Sequence, residues 1–420
     1  MRWRFLYTLV IRTALPFIAL RIWWRGRREP GYRRRVAERF GEYRFGPDRP
    51  VIWLHAVSVG EARAAVPLVR ALQREFDDHR ILVTCTTAAG RDTVKQTYGD
   101  SVLLAWLPYD YPGATRRFLA NFRPRIGLIM ETEIWPNLLA SCREFGVPVI
   151  LANGRMSERS ARGYCRWRVL ARPAFAGLAA VCAQSEADAA RLAALGAPAP
   201  QVTGNLKFDI APDPEQAAAG REWRLALGRP VLLLASTRSG EERLLLDALP
   251  TGNADALVVV VPRHPQRFDE VSLLLGRENQ PLPRRSRGAA PRPSDRFYLG
   301  DSLGEMAFYY AACDVAVIGG SFAPHGGQNL IEACAAGATV VLGPSMFNFA
   351  EATRLALEAG AAVQVADAAE AMRVALGLCA DPARREKMGA AGRTLCAAHR
   401  GATERHLALC RQWIRAAARG

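Results

Sequence analysis

The stretch that decides the fold runs from Val315 to Glu351 and reads VAVIGGSFAPHGGQNLIEACAAGATVVLGPSMFNFAE. An apolar run, Val315–Ile318, ends in two glycines and a serine. A helical segment follows from Asn329 to Ala336, and a second apolar run extends from Ala338 to Leu342. This order predicts a strand, a loop, a helix and a strand, which together form one unit of a parallel α/β sheet.

The glycine-rich loop of this unit predicts an anion site. Gly319 and Gly320 let the backbone approach a ligand closely, and a helix that opens near Gln328 or Asn329 points unpaired N–H groups at the loop. Glu332 lies early in that helix and could accept hydrogen bonds from ribose hydroxyls, as acidic residues do in nucleotide-binding folds. The alternative is a sheet unit with glycine turns and no ligand, because phosphate loops are commonly over-called.

The same alternation of apolar runs and helical segments fills two long parts of the chain. The first begins at Val51 and the second at Arg229, and a stretch rich in Pro and Asp (209–220) lies between them. A chain of 420 residues is long enough for two α/β domains. The predicted divisions are a basic N-terminal segment (1–44), a first domain (45–210), a second domain (211–400) and a C-terminal helix (401–420) that could cross back to the first domain.

Polar side chains follow the apolar strands of both predicted domains. Ligands bind at the carboxyl edge of open α/β sheets, so these side chains are expected to lie on one rim in each domain. In the first domain they are Glu61, Glu131 with Glu133, Asn153 with Arg155, and Asn205 with Lys207. In the second domain they are Ser236-Thr237-Arg238 and Pro262-Arg263-His264.

Three acidic residues of this rim have two interpretations each. Glu61 follows a glycine at a turn from a loop into a helix, which the spacing of apolar residues predicts from Glu61 to Phe76. At this turn its carboxylate could act as a general base. It could equally be a first-turn acid that complements the helix dipole, and the same alternative holds for the other two. Of Glu131 and Glu133 we expect only one to face the site, because the turn into the next helix separates them.

The cationic and histidine candidates are equally ambiguous. Lys207 and Arg238 could neutralise a phosphate leaving group, or they could be solvated cations at the rim. His55 and His264 could be ligands, although a structural histidine is more frequent. The nine Cys are scattered, without a C-x-x-C pair or a Cys/His cluster at zinc spacing, so we predict a reduced compartment and no structural metal.

The N-terminus predicts a membrane anchor. Residues 1–44 hold twelve Arg against three Glu, and the whole chain carries a net charge of +16. As a helix, the apolar segment Phe5–Trp24 would reach ~30 Å, but Arg12 and Pro16 interrupt it, and a central Arg costs roughly 2.5–3.5 kcal/mol. We therefore expect an anchor that either spans the bilayer or lies in its interface, with the soluble part in the cytoplasm. A buried core helix is one alternative. A removable signal peptide is a weaker one, because the segment lacks a small-residue cleavage site.

Eight motifs follow one another along nearly the whole chain. They are HAVSVGE (55–61), METEIWPN (130–137), GNLKFD (204–209), STRSGEE (236–242), VPRHPQRF (261–268), GDSLGE (300–305), GGSFAPHGGQNLIEA (319–333) and GPSMFNF (343–349). In this order they resemble the motifs of the 3-deoxy-D-manno-octulosonic acid (Kdo) transferases of lipid A assembly. Eight motifs in register are far more specific than any one of them.

The resemblance implies an α/β protein of the GT-B glycosyltransferase fold, in which two Rossmann-like domains face a cleft. The first domain would hold the lipid acceptor and the second the nucleotide sugar. The implied reaction moves Kdo from CMP-Kdo to lipid IVA in lipopolysaccharide inner-core biosynthesis, with inversion and without a bound metal or cofactor. It would take place at the cytoplasmic face of the bacterial inner membrane.

The resemblance also assigns roles to individual residues. Glu61 corresponds to the general base, and Glu131 with Lys207 corresponds to a pair that stabilises the transition state. The chain departs from the Asn-Pro form of some members by having Leu330 after the asparagine. The implied nucleotide-binding residues are Pro262, Arg263, Ser302, Leu303, Gly304, Asn329, Leu330, Ile331 and Glu332.

Other functions compete with this one. A second enzyme class keeps the two-domain fold but uses a UDP-sugar, as a transferase or an epimerase. A catalytically silent, membrane-associated protein that binds a nucleotide or a lipid would need none of the acidic rim. Nucleic-acid binding is weaker still, because aromatic residues are not interleaved with the basic run after Tyr32.

Overall fold

The computed structural model describes residues 2–250, 255–276, 282–288 and 290–417. The chain divides into two compact units. The first contains Met1–Ile210 and Arg400–Gly420, and the second contains Ala211–His399.

In its described residues the first unit has a seven-stranded sheet of order β3-β2-β1-β4-β5-β6-β7, and the recorded strand pairs are parallel. The strands are β1 (Val51–His55), β2 (Arg80–Cys85), β3 (Leu103–Trp106), β4 (Pro124–Met130), β5 (Val149–Gly154), β6 (Ala180–Ala183) and β7 (Gln201–Val202). The helices are α1 (Arg2–Arg28), α2 (Val59–Ala64), α3 (Val66–Glu75), α4 (Ala88–Tyr98), α5 (Pro112–Phe122), α6 (Pro136–Glu144), α7 (Glu158–Arg166), α8 (Arg168–Phe175), α9 (Glu186–Ala194) and, from the end of the chain, α18 (Ala402–Ala417).

The second unit has a six-stranded sheet of order β10-β9-β8-β11-β12-β13 among its described residues, again with parallel pairs. The strands are β8 (Val231–Thr237), β9 (Leu257–Pro262), β10 (Phe297–Leu299), β11 (Val315–Ile318), β12 (Thr339–Leu342) and β13 (Ala362–Gln364). The helices are α10 (Pro214–Leu227), α11 (Glu241–Asp247), α12 (Phe268–Leu275), α13 (Met306–Ala312), α14 (Ile331–Ala336), α15 (Ala350–Glu358), α16 (Ala368–Cys379) and α17 (Pro382–Ala398).

The parallel arrangement of the strands explains why the apolar runs in the sequence are nearly continuous. Strands of a parallel sheet are covered by helices on both faces, so successive side chains enter two different cores. In β1, Ile52 and Leu54 belong to one core while Val51 and Trp53 belong to the other. The core that contains Ile52 and Leu54 is completed by residues of α18, among them Leu407 and Ile414.

Both sheets have a topological switch point, where the strand order reverses around the first strand of the unit. In the first unit it lies between β1 and β4, and in the second between β8 and β11. Crevices at the carboxyl ends of such strands are where ligands bind in open α/β sheets. Each unit therefore has one candidate position for a site before any side chain is considered.

Two predicted helices differ from the observed ones. The helix predicted from Glu61 to Phe76 is two helices, α2 and α3, because Pro67 stands in the first turn of α3 and cannot continue a preceding helix. The helix predicted to open near Gln328 or Asn329 begins at Ile331.

The N-terminal helix α1 is the one candidate membrane span among the described residues, over Trp3–Arg28. Only 6% of its most apolar window is buried. It contacts the 3₁₀ turn Pro30–Arg33, α6 and α8. Ile22 also packs in a small cluster with Tyr32, Ala88 and Trp106. The large exposed apolar side chains of α1 are Trp3, Phe5, Leu6, Leu9, Val10, Phe17, Leu20, Trp23 and Trp24.

Candidate functional site

The carboxylate of Glu61 lies at the switch point of the first unit, in the first turn of α2. Ser58 caps this helix and accepts a hydrogen bond from the Glu61 N–H at 3.3 Å. In return, the Ser58 hydroxyl donates to Glu61 Oε1 at 2.9 Å and the Val57 N–H donates to Oε2 at 2.8 Å. The turn thus fixes the position and orientation of the carboxylate before a substrate arrives.

The surroundings of Glu61 make it a stronger base than an ordinary glutamate. The residue is only 9% exposed. Burial, and then the neighbouring charge of Glu131, raise the pKa of Glu61 to about 7, while its two hydrogen bonds act in the opposite direction. A general base is most effective when its pKa is near the working pH. Glu61 therefore supports the capping turn of its helix and has the properties of a base at the same time.

Glu131 follows β4, the neighbour of β1, and has an uncommon backbone conformation. Its φ of 56° lies in the left-handed region, which is costly for a side chain of this kind and tends to persist at functional sites. Its Oε1 lies 3.4 Å from Lys207 Nζ in a partly buried ion pair. Glu133 lies two residues further along the same loop. Its charge also acts on Glu61, and burial raises its own pKa.

A chain of buried polar contacts holds the backbone next to Lys207. The Lys207 N–H donates to Asn205 Oδ1 at 3.0 Å, and the Leu206 N–H donates to Asn153 Oδ1 at 3.0 Å. Asn153 is itself left-handed, with a φ of 53°, and its N–H donates to His406 Nε2 at 2.9 Å. Burial lowers the pKa of His406 to about 4, so the ring stays neutral and can accept this bond.

His406 was not among the residues predicted from the sequence. Its segment showed only as a helix that could return to the first domain, and nothing local marks a histidine in such a helix as a support for Asn153. Two other rim residues have structural contacts. The Arg155 carbonyl accepts a hydrogen bond from Thr132 Oγ1 at 3.0 Å, and Asn205 Nδ2 donates to Gln184 Oε1 at 3.0 Å.

The histidines considered as ligands differ in their surroundings. His55 is fully buried, its Nδ1 lies 2.9 Å from Thr84 Oγ1, and burial lowers its pKa to about 4. His264 is exposed, and partial burial with neighbouring arginines lowers its pKa. Across the ranges that the structure describes, no group of three His, Cys, Asp or Glu side chains could hold a metal ion.

At the switch point of the second unit, the glycine loop after β11 binds a carboxylate from a side chain of the same unit. The carboxylate of Glu241, which is 1% exposed, accepts hydrogen bonds from the Gly320 N–H at 2.6 Å and the Phe322 N–H at 2.9 Å. It also accepts the Arg238 N–H at 2.8 Å. The amides of Gly320 and Phe322 therefore already have an acceptor within the chain, whereas the anion site predicted at the start of the following helix stays a prediction.

Gly319 was predicted to let the backbone approach a ligand, and in the structure it packs closely against a neighbouring strand. A Cβ at this position would lie 2.6 Å from the Cα of Thr237, so the glycine permits close packing against the end of β8 rather than access for a ligand. The strand ends beside it hold Arg263, whose N–H donates to the Thr237 carbonyl at 2.9 Å, and Pro262, which is the last residue of β9.

The residues predicted to bind a nucleotide lie around two tyrosines of α13. The hydroxyls of Ser302 and Tyr309 are 2.6 Å apart, and Tyr310 OH donates to the Asn329 carbonyl at 3.3 Å. Tyr310 is close enough to Glu332 and Arg263 for both charges to affect its pKa, which burial raises well above the ordinary value. Neither tyrosine was predicted from the sequence, because the segment Met306–Ala312 has the pattern of an ordinary core helix.

The remaining predicted nucleotide residues form two loops. Asn329 Nδ2 donates to Glu332 Oε1 at 2.8 Å, and Asn329 Oδ1 accepts the Ile331 N–H at 3.1 Å. The side chains of Leu330 and Ile331 are buried, so they can offer only backbone atoms. In the turn 302–304, Leu303 is exposed and Gly304 has a φ of 80° with open space around it.

Comparisons with known proteins place the chain among known relatives. The family model described as 3-deoxy-D-manno-octulosonic-acid transferase (kdotransferase) matches residues 34–210. A 3-deoxy-D-manno-octulosonic acid transferase of Bordetella pertussis is 48% identical over 98% of this chain and 99% of its own, and one of Haemophilus influenzae is 36% identical over 98% and 99%.

A solved structure shows the fold. The Anabaena protein HepE in complex with UDP superposes with a TM-score of 0.58, covering 86% of this chain and 99% of its own at 16% identity. Similarity at this level of identity concerns the fold alone. The predicted α/β architecture of the GT-B class is confirmed.

Proposed function

The chain belongs to the Kdo transferase family, and on this premise we propose that it moves Kdo from CMP-Kdo to a hydroxyl of lipid IVA, with inversion, in lipopolysaccharide inner-core biosynthesis. It is a glycosyltransferase. The first unit is proposed to hold the lipid acceptor and the second the nucleotide sugar.

The observation that carries this proposal is the burial, the raised pKa and the fixed orientation of the Glu61 carboxylate. A buried carboxylate with a pKa of about 7, fixed by its own helix turn and placed near Glu131, is suited to take a proton from an attacking hydroxyl. In the proposed step the hydroxyl oxygen bonds to the anomeric carbon of Kdo as the bond to the CMP phosphate breaks. The proton passes to Glu61, and CMP departs with the bonding electron pair.

The pair of Glu131 and Lys207 supplies fixed charges for this step. Bond breaking at the anomeric carbon develops positive charge on the sugar and negative charge on the departing phosphate. Charges that are already in place need no reorganisation when the transition state forms. The 3.4 Å ion pair and the strained backbone of Glu131 support this role, because both keep the carboxylate in one position.

The donor is proposed to bind in the second unit. Glu332 would accept hydrogen bonds from ribose hydroxyls, while Arg263 would face the phosphate. Ser302–Gly304 and the backbone of 329–331 complete the proposed site. The contacts of Tyr309 and Tyr310 support it, because they hold Ser302 and Asn329 in place from a single short helix.

The protein is proposed to act at the cytoplasmic face of the bacterial inner membrane. The exposed apolar side chains of α1 would enter the bilayer, and the arginines of 25–44 would attract its anionic headgroups. The acyl chains of lipid IVA remain in the bilayer, so an enzyme held at its surface meets the acceptor hydroxyl there.

One assay tests the proposal. The purified full chain is incubated with CMP-Kdo and lipid IVA in detergent, and the products are weighed by mass spectrometry. We expect the acceptor to gain the mass of one or more Kdo residues. Product formation with a UDP-sugar but not with CMP-Kdo would contradict the proposed donor. If lipid IVA remains unmodified with every donor, the proposed transfer to this acceptor is wrong.

A further inference from the structure

The membrane helix α1 is joined to a buried polar cluster of the first unit. Tyr7 OH donates to Asp110 Oδ2 at 2.9 Å, and Thr8 Oγ1 lies 3.2 Å from Asn137 Oδ1. The Thr8 proton is shared with the Arg4 carbonyl at 2.8 Å, so the Tyr7 bond is the firmer of the two. Asp110 is 4% exposed and Asn137 is 1% exposed, which places both partners inside the unit.

Asp110 replaces a missing helix cap. The residue before α6 is Trp135, and its side chain makes no capping hydrogen bond. The N–H groups of Asn137 and Leu138 donate instead to Asp110, at 3.1 and 2.7 Å, and Asn137 Nδ2 donates to the Asp110 carbonyl at 2.8 Å. A carboxylate in this position satisfies N–H groups that would otherwise lack partners and complements the positive end of the helix.

The capped end of α6 is also the end of the acidic loop. The loop occupies residues 131–135, between β4 and α6, and carries Glu131 and Glu133. Its other end is held by the Glu131 N–H, which donates to the Ala152 carbonyl at 2.9 Å. Five residues held at both ends have little freedom, so a shift at the start of α6 changes where the two carboxylates lie.

We propose that Tyr7 and Thr8 are positioning residues, through which the seating of the membrane helix on the first unit sets the geometry of the acidic loop. This rests on the proposed function, since that function gives the loop its catalytic role. Helix α1 then has two roles: it anchors the protein to the membrane, and it positions the acidic loop of the first unit. Its two sides have separate tasks: Tyr7 and Thr8 bind the unit, while residues such as Phe17 and Trp24 are exposed.

The test compares the two sides of the helix in detergent, where recruitment to a membrane no longer limits the reaction. The variants are Tyr7→Phe and Thr8→Val. The matched control is Thr13→Val, because among the described residues the exposed Thr13 hydroxyl bonds only to the Val10 carbonyl of its own helix. We expect Tyr7→Phe to lower kcat by roughly tenfold with little change in the KM for CMP-Kdo, since small misplacements of catalytic groups cost up to about a hundredfold. Thr8→Val should lower kcat less, and Thr13→Val should not lower it.

A second readout needs no substrate. Amide hydrogen exchange in the segment 131–138 should become faster in Tyr7→Phe, because Asp110 holds the N–H groups at its end, while exchange in β1 should stay unchanged. Unaltered exchange in 131–138, or an equal loss of kcat in Thr13→Val, overturns the inference. Absence of Kdo transfer by the wild-type chain contradicts the proposed function alone, because exchange reports the coupling directly.

Discussion

The switch points of the two sheets offer a comparison within one molecule. Each sheet reverses its strand order beside its first strand, and each places a glutamate in the first turn of the helix that follows. Glu61 is the residue of the first unit and Glu241 that of the second. Both are almost buried, at 9% and 1% exposed.

The two carboxylates differ in their partners. Glu61 accepts hydrogen bonds from its own turn, and the loop of the neighbouring strand brings further acids toward it. Glu241 accepts two amide N–H groups from the loop of the neighbouring strand, in addition to one from its own. The same topological position is therefore suited to chemistry in one unit and to structure in the other, and the neighbouring loop decides which.

The largest expected effect separates the two residues by chemistry. Glu61→Gln keeps the shape of the side chain but cannot take a proton, so kcat should fall by about 10²- to 10⁴-fold. Initial rates of Kdo transfer from CMP-Kdo measure it, with circular dichroism to show that the fold is retained.

The control tests the alternative of a helix-dipole acid. Glu186 is a first-turn acid of α9, behind a capping serine like that of α2, but it is exposed. Glu186→Gln should leave the rate unchanged. Equal rates for Glu61→Gln and the wild type would remove the assignment of Glu61 as the base.

The next largest effect concerns stability. Glu241→Ala leaves the N–H groups of Gly320 and Phe322 without their acceptor, and each buried group left unpaired costs roughly 1–3 kcal/mol. We expect a lower free energy of unfolding, measured by urea denaturation. Glu222→Ala on the exposed side of α10 is the control and should have little effect. If Glu241→Ala were as stable as this control, the structural role of Glu241 would be refuted.

Much of the fold could be predicted because its causes are local. A run of apolar residues between turn signals defines β11 at Val315–Ile318, as expected, and Pro136 marks the start of α6. The helix predicted from Glu61 to Phe76 is interrupted before Pro67. The apolar spacing continues through this interruption and therefore does not indicate it. The rim of polar residues was also predictable, since it needs only the direction of parallel strands.

The remainder of the site depends on which strands are neighbours. Glu241 and Gly320 are 79 positions apart in sequence, and Asn153 and His406 are 253 apart. Glycine at 319 and 320 indicates close approach, but it does not indicate whether a ligand or another strand approaches. In the structure the approach at Gly319 is that of the end of β8, and the amides of Gly320 and Phe322 bind the carboxylate of Glu241.

A smaller effect should appear in the pH profile. The pKa of Glu61 is raised from its ordinary value of 4.5 to about 7, so kcat/KM should rise about tenfold per pH unit below 7 and level off above it. The contribution of this group to stability has the opposite direction. It is fully present below pH 4.5 and is lost as the pH rises through 7, because the folded state holds the proton more tightly. A rate that is level from pH 5 to 8 would contradict a base with this pKa.

The smallest expected effect identifies which neighbours give Glu61 its character. Burial is the main cause of the raised pKa, the charge of Glu131 is next, and that of Glu133 is the weakest. Glu131→Gln should therefore move the acidic limb of the pH profile to lower pH while leaving it above 4.5, and Glu133→Gln should move it less. Both variants keep the size of the side chain, and the position of the limb is independent of the loss in kcat expected from breaking the pair with Lys207. A limb that stays at the same pH in both variants would mean that burial alone sets the pKa, and that the acids of the neighbouring loop do not account for the difference from Glu241.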